Sequence, residues 1–201
     1  WALIKVDHTL LSILWLAAIV VYAAWLVLKR CKLETGRLLV AVSGGMFVGV
    51  LFVGLWILAL ALPVRVFDAR WFVPVMALLT GHATAMLIRG MNTYVTALKA
   101  DEPQYEFLRG NGASHLKALE PFLRRALLAV VSPTIANLST LALTSMPLLL
   151  CGILLGGMTP INAFILMLQM VIGCTTVSVL TLLMVLLFSD RVLFDKMGKL
   201  K

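Results

Sequence analysis

Leu38–Leu62 reads LLVAVSGGMFVGVLFVGLWILALAL, with no charged residue and no proline. A helix of about 20 apolar residues, rising 1.5 Å each, crosses a hydrocarbon layer of about 30 Å, so this stretch is long enough to span a membrane by itself. Four further apolar runs flank it: Thr9–Leu28, about Phe72–Leu98 with Arg89 near one end, about Ala126–Thr144, and Ile161–Phe188. They predict five spanning helices. The whole chain agrees: of its 201 residues 62% are hydrophobic and only 13% charged, its mean hydropathy is +1.03, and a soluble domain usually carries about 25% charged residues. No room is left for a large soluble catalytic domain. Between the fourth and fifth runs, Ser145–Pro160 carries Pro147, Gly152, Gly156, Gly157 and Pro160. Gly and Pro at membrane depth are tolerated where backbone is buried in protein, which predicts a broken or re-entrant segment. The expected fold is all-α and polytopic, with residues 1–201 as a single transmembrane domain.

Charge placement orients the spans. There are 17 Lys and Arg against 9 Asp and Glu, an excess that would also suit a nucleic-acid partner. If connections alternate sides, however, Lys29–Arg37, Lys99–Arg125 and the tail from Ser189 share one side and hold 13 of the 17 basic residues, while Lys5, Arg65 and Arg70 lie opposite. That is the positive-inside asymmetry, so lipid replaces nucleic acid as the expected partner and the three basic segments are expected in the cytoplasm of a multi-pass inner (cell) membrane protein. Cys31, Cys151 and Cys174 share no short spacing and read as packing residues rather than a disulfide framework or a zinc motif. The first span then starts outside the cytoplasm, and Trp1 opens the chain without a readable leader, so upstream spans are expected to be missing.

The one long connection, Lys99–Arg125, is the candidate interaction segment. Pro103 introduces it, two glycines break the run Arg109-Gly110-Asn111-Gly112-Ala113-Ser114, Ser114 suits a helix N-cap, and Pro121 is expected to limit a helix of less than two turns. Such a short helix between two spans resembles the coupling helix of ABC-transporter permeases, which docks on an ATP-binding subunit. By that resemblance Glu106, Gly112, Ala113, Ser114 and Ala118 are the ATPase-coupling residues, an acidic group followed by small residues that permit close approach. Val73-Pro74, Gly81, this loop, Pro133-Thr134-Ile135-Ala136-Asn137, Ser145-Met146-Pro147, Gly152 and Gly156-Gly157-Met158-Thr159-Pro160 follow in an order that resembles the FetB (YbbM) family of bacterial iron-export ABC permeases, itself related to a plant aluminium-tolerance transporter subunit. The resemblance covers nearly the whole chain and is strongest from Trp71 to Gln169. It implies a homodimer that binds no cofactor of its own and works with a separate ATP-binding subunit, which uses ATP and Mg. It also implies export of iron or another metal ion. The chain departs from the family at Gly81-His82, Gly152-Ile153 and Leu166-Met167, so architecture transfers more readily than cargo.

Candidate path residues come from the spans. His82 lies mid-span with Met86 one turn on and Met91 beyond; imidazole and thioether suit a soft-to-intermediate metal, and His82 is the candidate metal ligand. A His bonded to a neighbouring helix is the equal alternative. Pro133, Asn137, Thr140 and Thr144 share one helical face, as do Asn162, Gln169, Gly173 and Thr176. Helix packing explains either stripe as well as a substrate path does. Arg89 is expected to snorkel to the cytoplasmic surface. No P-loop motif and no intramembrane Asp or Glu occurs, so energy must come from a partner, and no hydrolase or metalloprotease motif supports an enzyme. The rival readings are an ABC permease for a small organic or amphipathic molecule, a mechanotransmission subunit, and a secondary transporter.

Overall fold

A computed structural model describes residues 9–33, 36–61, 69–141 and 145–193, and the chain is helical through the described part of each apolar run. The helices are α1 (Thr9–Cys31), α2 (Gly36–Ala61), α3 (Ala69–Ala100), α4 (Glu102–Gly110), α5 (His115–Leu141), α6 (Ser145–Leu155) and α7 (Pro160–Leu193), with no strand among the described residues. This is an all-α polytopic membrane protein. Among the described residues four helices are long and apolar enough to cross a bilayer, over Ser12–Cys31, Leu38–Leu60, Trp71–Ala100 and Pro160–Ser189. The expected fifth span is a helix too, but α5 does not reach that standard within the described residues. Its first turns carry Lys117, Glu120, Arg124 and Arg125, and its later ones Ser132, Thr134, Asn137, Ser139 and Thr140.

The expectation that Pro121 limits a short helix is overturned, because α5 runs straight through it. Leu119, Phe122, Ala126 and Val130 are all buried, a stripe at helical spacing that crosses the proline. An interior proline costs about 3 kcal/mol, whereas burying a Leu, Val or Phe side chain gains about 1.5–3 kcal/mol each. Packing therefore outweighs the lost hydrogen bond. The short helix of this region is instead α4, which starts twelve residues before Ser114.

Gly and Pro between 145 and 160 have the foreseen effect. The 11 residues of α6 reach about 16 Å, roughly half of a bilayer core. The Gly157 N–H then donates to the Leu154 carbonyl at 3.0 Å and the Met158 N–H to that of Ile153 at 3.5 Å. Gly157 sits at φ +86°. This Schellman cap ends α6 and turns the chain into α7, against which α6 packs.

α3 is the hub, packed on α1, α2, α5 and α7, while the most extensive single contact joins α2 to α7. Glycines bring these two helices together in antiparallel register: Gly45 faces Val185, Gly49 faces Thr181, and Gly173 faces Ile57. Hydrocarbon provides no hydrophobic drive for helix association, so close backbone approach at small residues is what van der Waals attraction needs. Cys31 and Cys174 pack within the bundle, as expected, but Cys151 is exposed on α6. The Cys31 thiol lies 3.8 Å from the Ile88 carbonyl, which sets the exposed Arg89 level with the basic end of α1.

Candidate functional site

The polar connection Lys99–Arg125 folds into a clamped corner rather than an open loop. Asp101 stands at the N-cap position of α4 with Pro103 in the first turn, where its missing N–H costs nothing. At the other end the Gly112 N–H donates to the Arg109 carbonyl and the Ala113 N–H to that of Leu108, both at 3.1 Å. With Gly112 at φ +83°, this is a second Schellman cap. A Cβ at Gly112 would meet nothing within 4 Å, so glycine is required there by backbone conformation and not by crowding within the chain. The Ala118 N–H donates to the Ser114 carbonyl at 3.0 Å, which places Ser114 at the N-cap position of α5, as read.

Two side-chain links hold the corner to the bundle. The buried Tyr105 hydroxyl is hydrogen-bonded to His115 Nδ1 at 2.8 Å, and Arg125 on α5 pairs with Asp101 at the end of α3. The exposed carboxylate–guanidinium pair is worth about 0–1 kcal/mol, so the Tyr105 contact and the packing of Ala118 and Leu119 carry more of the rigidity. Glu106, Gly112 and Ser114 are exposed and Ala113 is half-buried, whereas Ala118 is wholly enclosed by the chain itself. Four of the five coupling candidates thus lie on or near the outer face and Ala118 does not. The same face exposes two side chains that the sequence reading passed over: Phe107, 68% exposed, and Leu116, 64% exposed. Their signal was there to be read, as large apolar residues isolated among charged and polar neighbours.

The intramembrane candidates fall into two groups at different depths. On α3, His82 is half-buried, and its Nε2 is enclosed with no hydrogen-bond partner among the described residues. Met86 is buried one turn on, its sulfur 3.9 Å from the Thr134 hydroxyl on α5, which donates to the Val130 carbonyl at 2.6 Å. Met86 against Thr134 and Gly90 against Val130 give α3 and α5 one antiparallel register. Continued along both helices, it sets Asn137 level with Ala83 and Thr140 level with Thr80. The side chains of Asn137 and Thr140 lie outside the described residues, as does Thr144 altogether. Thr80, Thr84, Ser178 and Thr181 each donate to the carbonyl one turn back, so these buried hydroxyls are satisfied within their own helices. Among the described residues His82 Nε2, Gln169 Oε1 and Ser189 Oγ are the exceptions, buried without a partner.

Gln169 belongs to the second group. It lines a cavity of about 290 Å³ together with Leu60, Trp71, Met158, Asn162, Ile165 and Leu166, and its Oε1 is buried without a partner among the described residues. Leu79 faces Gly173, and Leu182 faces Gly90, so α3 and α7 run parallel. His82 lies three residues from Leu79 toward the α4 end and Gln169 four residues from Gly173 the other way, an axial separation of about 10 Å. The structure does not bring them together. Among the described residues no three His, Cys, Asp or Glu side chains gather anywhere.

Residues 1–194 match the UPF0014 family, described as an uncharacterised protein family. The chain belongs to the UPF0014 family. Among its relatives, UPF0014 membrane protein STAR2 of Oryza sativa subsp. japonica is 29% identical over 124 residues, 60% of this chain and 44% of the relative. Protein ALUMINUM SENSITIVE 3 of Arabidopsis thaliana is 28% identical over 118 residues, 57% of this chain and 43% of the relative. The chain therefore spans less than half the length of the curated relatives it matches. No solved structure matches it. UPF0014 is the family to which the FetB (YbbM) resemblance pointed.

In this UPF0014 chain, then, the candidate residues fall in three places: an exposed corner at one end, an imidazole whose enclosed Nε2 has no partner among the described residues, beside a thioether within the spans, and a carboxamide-lined cavity at the opposite end. Elsewhere the exposed faces are what lipid requires, with Leu14, Val21, Phe52, Trp56, Phe164 and Ile172 turned outward.

Proposed function

We propose that this chain is the membrane subunit of an ATP-binding-cassette exporter, and that a separate ATPase docks on the α4–α5 corner from the cytoplasm. The observation that carries the reading is the corner itself: a capped helix–turn–helix, tied to both α3 and α5, that presents Phe107 and Leu116 to water. A partner that covered these two side chains would remove their apolar surface from water. Because the corner is joined to the two helices that carry His82, Met86 and Asn137, a push on α4 is delivered to the path residues. ATP binding by the partner would in this way bias the spans between inward and outward access. The partner holds the ATP and Mg.

A homodimer of the permease completes the complex, and metal-ion export is the activity the family resemblance favours. The name of the Arabidopsis relative, which speaks of aluminium, lies in the same direction. His82 with Met86 supplies one imidazole and one thioether, so a metal there takes its remaining ligands from the second copy or arrives with its own. The test is co-purification with a candidate ATP-binding subunit from the same organism, followed by ATPase assays over a panel of metals. Gly112→Val, which cannot adopt the turn, and Ala113→Trp, which blocks approach, should insert normally and lose the ATPase. Undiminished co-purification and turnover in both would refute the docking role.

A further inference from the structure

The cavity beside Gln169 lies where the end of α2, the start of α3 and the α6–α7 turn meet, at the end of the bundle away from α4. We infer that it binds a small organic molecule with an apolar body and a hydrogen-bond donor, and that it is not a resting place for a bare metal ion. The claim rests on the transporter reading only for its role as a stop on the cargo's route; binding itself does not depend on that reading.

The chemistry follows from the walls. Leu60, Ile165 and Leu166 are apolar, Trp71 adds a flat aromatic surface, Met158 a thioether, and Asn162 and Gln169 carboxamides. None of these side chains is charged. A hard divalent ion takes about six or more oxygen ligands, several of them carboxylates, and a softer one seeks imidazole or thiolate. Two neutral amides and a thioether fall short of either set. The volume of about 290 Å³ stands at the lower edge of small-molecule pockets, which run from about 300 Å³ upward. It is several times the ~30 Å³ that one water occupies in the liquid. A pocket with mostly apolar walls and a few convergent polar groups is the usual form of an organic-ligand site.

The carboxamides supply the specificity. Asn162 and Gln169 both line the cavity, and a carboxamide offers a carbonyl acceptor to a donor on the ligand as well as two N–H donors of its own. Trp71 and the aliphatic walls hold the apolar body, and the indole face also accommodates an ammonium head. Ligands therefore range from neutral amides, alcohols and sulfonamides to organic amines. A metal would pass this point only wrapped in an organic ligand, which fits the absence of any cluster of metal-ligating side chains among the described residues.

The test uses the full chain in lipid nanodiscs without its ATPase, so that loss of docking and loss of this site are read separately. The probe is dansylamide, a bicyclic aromatic carrying a sulfonamide donor, and the readout is dansyl emission sensitised by tryptophan. Expected is a saturable signal that Gln169→Leu shifts to at least five-fold higher probe concentration and that Leu166→Trp abolishes by filling the cavity. Leu166→Met, which keeps the volume, should bind as the wild type and controls for folding. Any saturable quenching by cobalt(II), as from a metal at His82, should be the same in Gln169→Leu as in the wild type. A signal that rises linearly with probe and is equal in all variants would mean partition into lipid and would overturn the site. Saturable cobalt quenching lost in Gln169→Leu would overturn the ligand class.

Discussion

Gly44 and Gly45 are neighbours on α2, yet substitution should act on them in opposite directions. A Cβ at Gly44 would meet nothing within 4 Å, while one at Gly45 would lie 2.9 Å from the Val185 Cα and backbone nitrogen on α7. Non-bonded carbons attract best at about 3.5–4.0 Å, so Gly45→Ala forces the two helices about 0.6–1 Å apart at this contact. Backbone cannot rotate away as a side-chain tip can. Overpacking of this kind costs about 1–3 kcal/mol, against a gain of about 0.5–1 kcal/mol from replacing a mid-helix glycine. The gain is common to both variants and cancels in the comparison. Gly44→Ala should therefore be as stable as the wild type or better, with Gly45→Ala lower than Gly44→Ala by about 1–3 kcal/mol. Reversible unfolding by sodium dodecyl sulfate from dodecylmaltoside micelles, followed by circular dichroism, measures the difference directly. The same seam continues to Gly173 and Ile57, one turn from Gln169, so dansylamide binding should weaken in Gly45→Ala as well. Equal stability of the two alanine variants would refute the glycine-seated α2–α7 contact.

Phe107→Ala removes an exposed aromatic ring from the corner; if about two-thirds of it becomes buried on docking, about 1–2 kcal/mol is lost. Association with the ATPase should weaken about 5–30-fold at that rate of about 1.4 kcal/mol per tenfold, with folding unchanged; equal affinity by surface plasmon resonance would remove Phe107 from the contact. Lys32 caps α1 at φ 53°, a left-handed conformation costing a residue with a Cβ about 1–2 kcal/mol, so Lys32→Gly should raise the unfolding midpoint, and a lower midpoint would contradict the cap geometry. His82→Asn keeps a polar group beside Met86 and should retain or retune metal-stimulated ATPase activity, while His82→Leu should abolish the stimulation and leave basal hydrolysis intact. Unchanged transport in His82→Leu, or loss of the whole assembly, would make the residue structural.

Membrane class, helical content and most span positions were legible in the sequence because hydrocarbon permits little else: backbone polar groups must be satisfied within the segment, and uninterrupted apolar length measures that directly. Runs such as Leu38–Leu62 and the glycines and prolines between 145 and 160 needed no tertiary context. Local turn chemistry was partly legible, since Gly112 and Gly157 both stand where a helix must reverse. Pro121 was not, because a proline's effect depends on what its helix buries beyond it, and the stripe through Phe122, Ala126 and Val130 has a partner only once α3 is in place. The same reason separates Ala118 from Ala113 in the corner, and marks Phe107 and Leu116 as exposed. Spacing along one helix grouped Gln169 with its own stripe, but only the parallel packing of α3 on α7 set it about 10 Å from His82 and gave it a cavity. What lies on one helix is a property of the chain; what meets across two depends on where the glycines let their backbones touch.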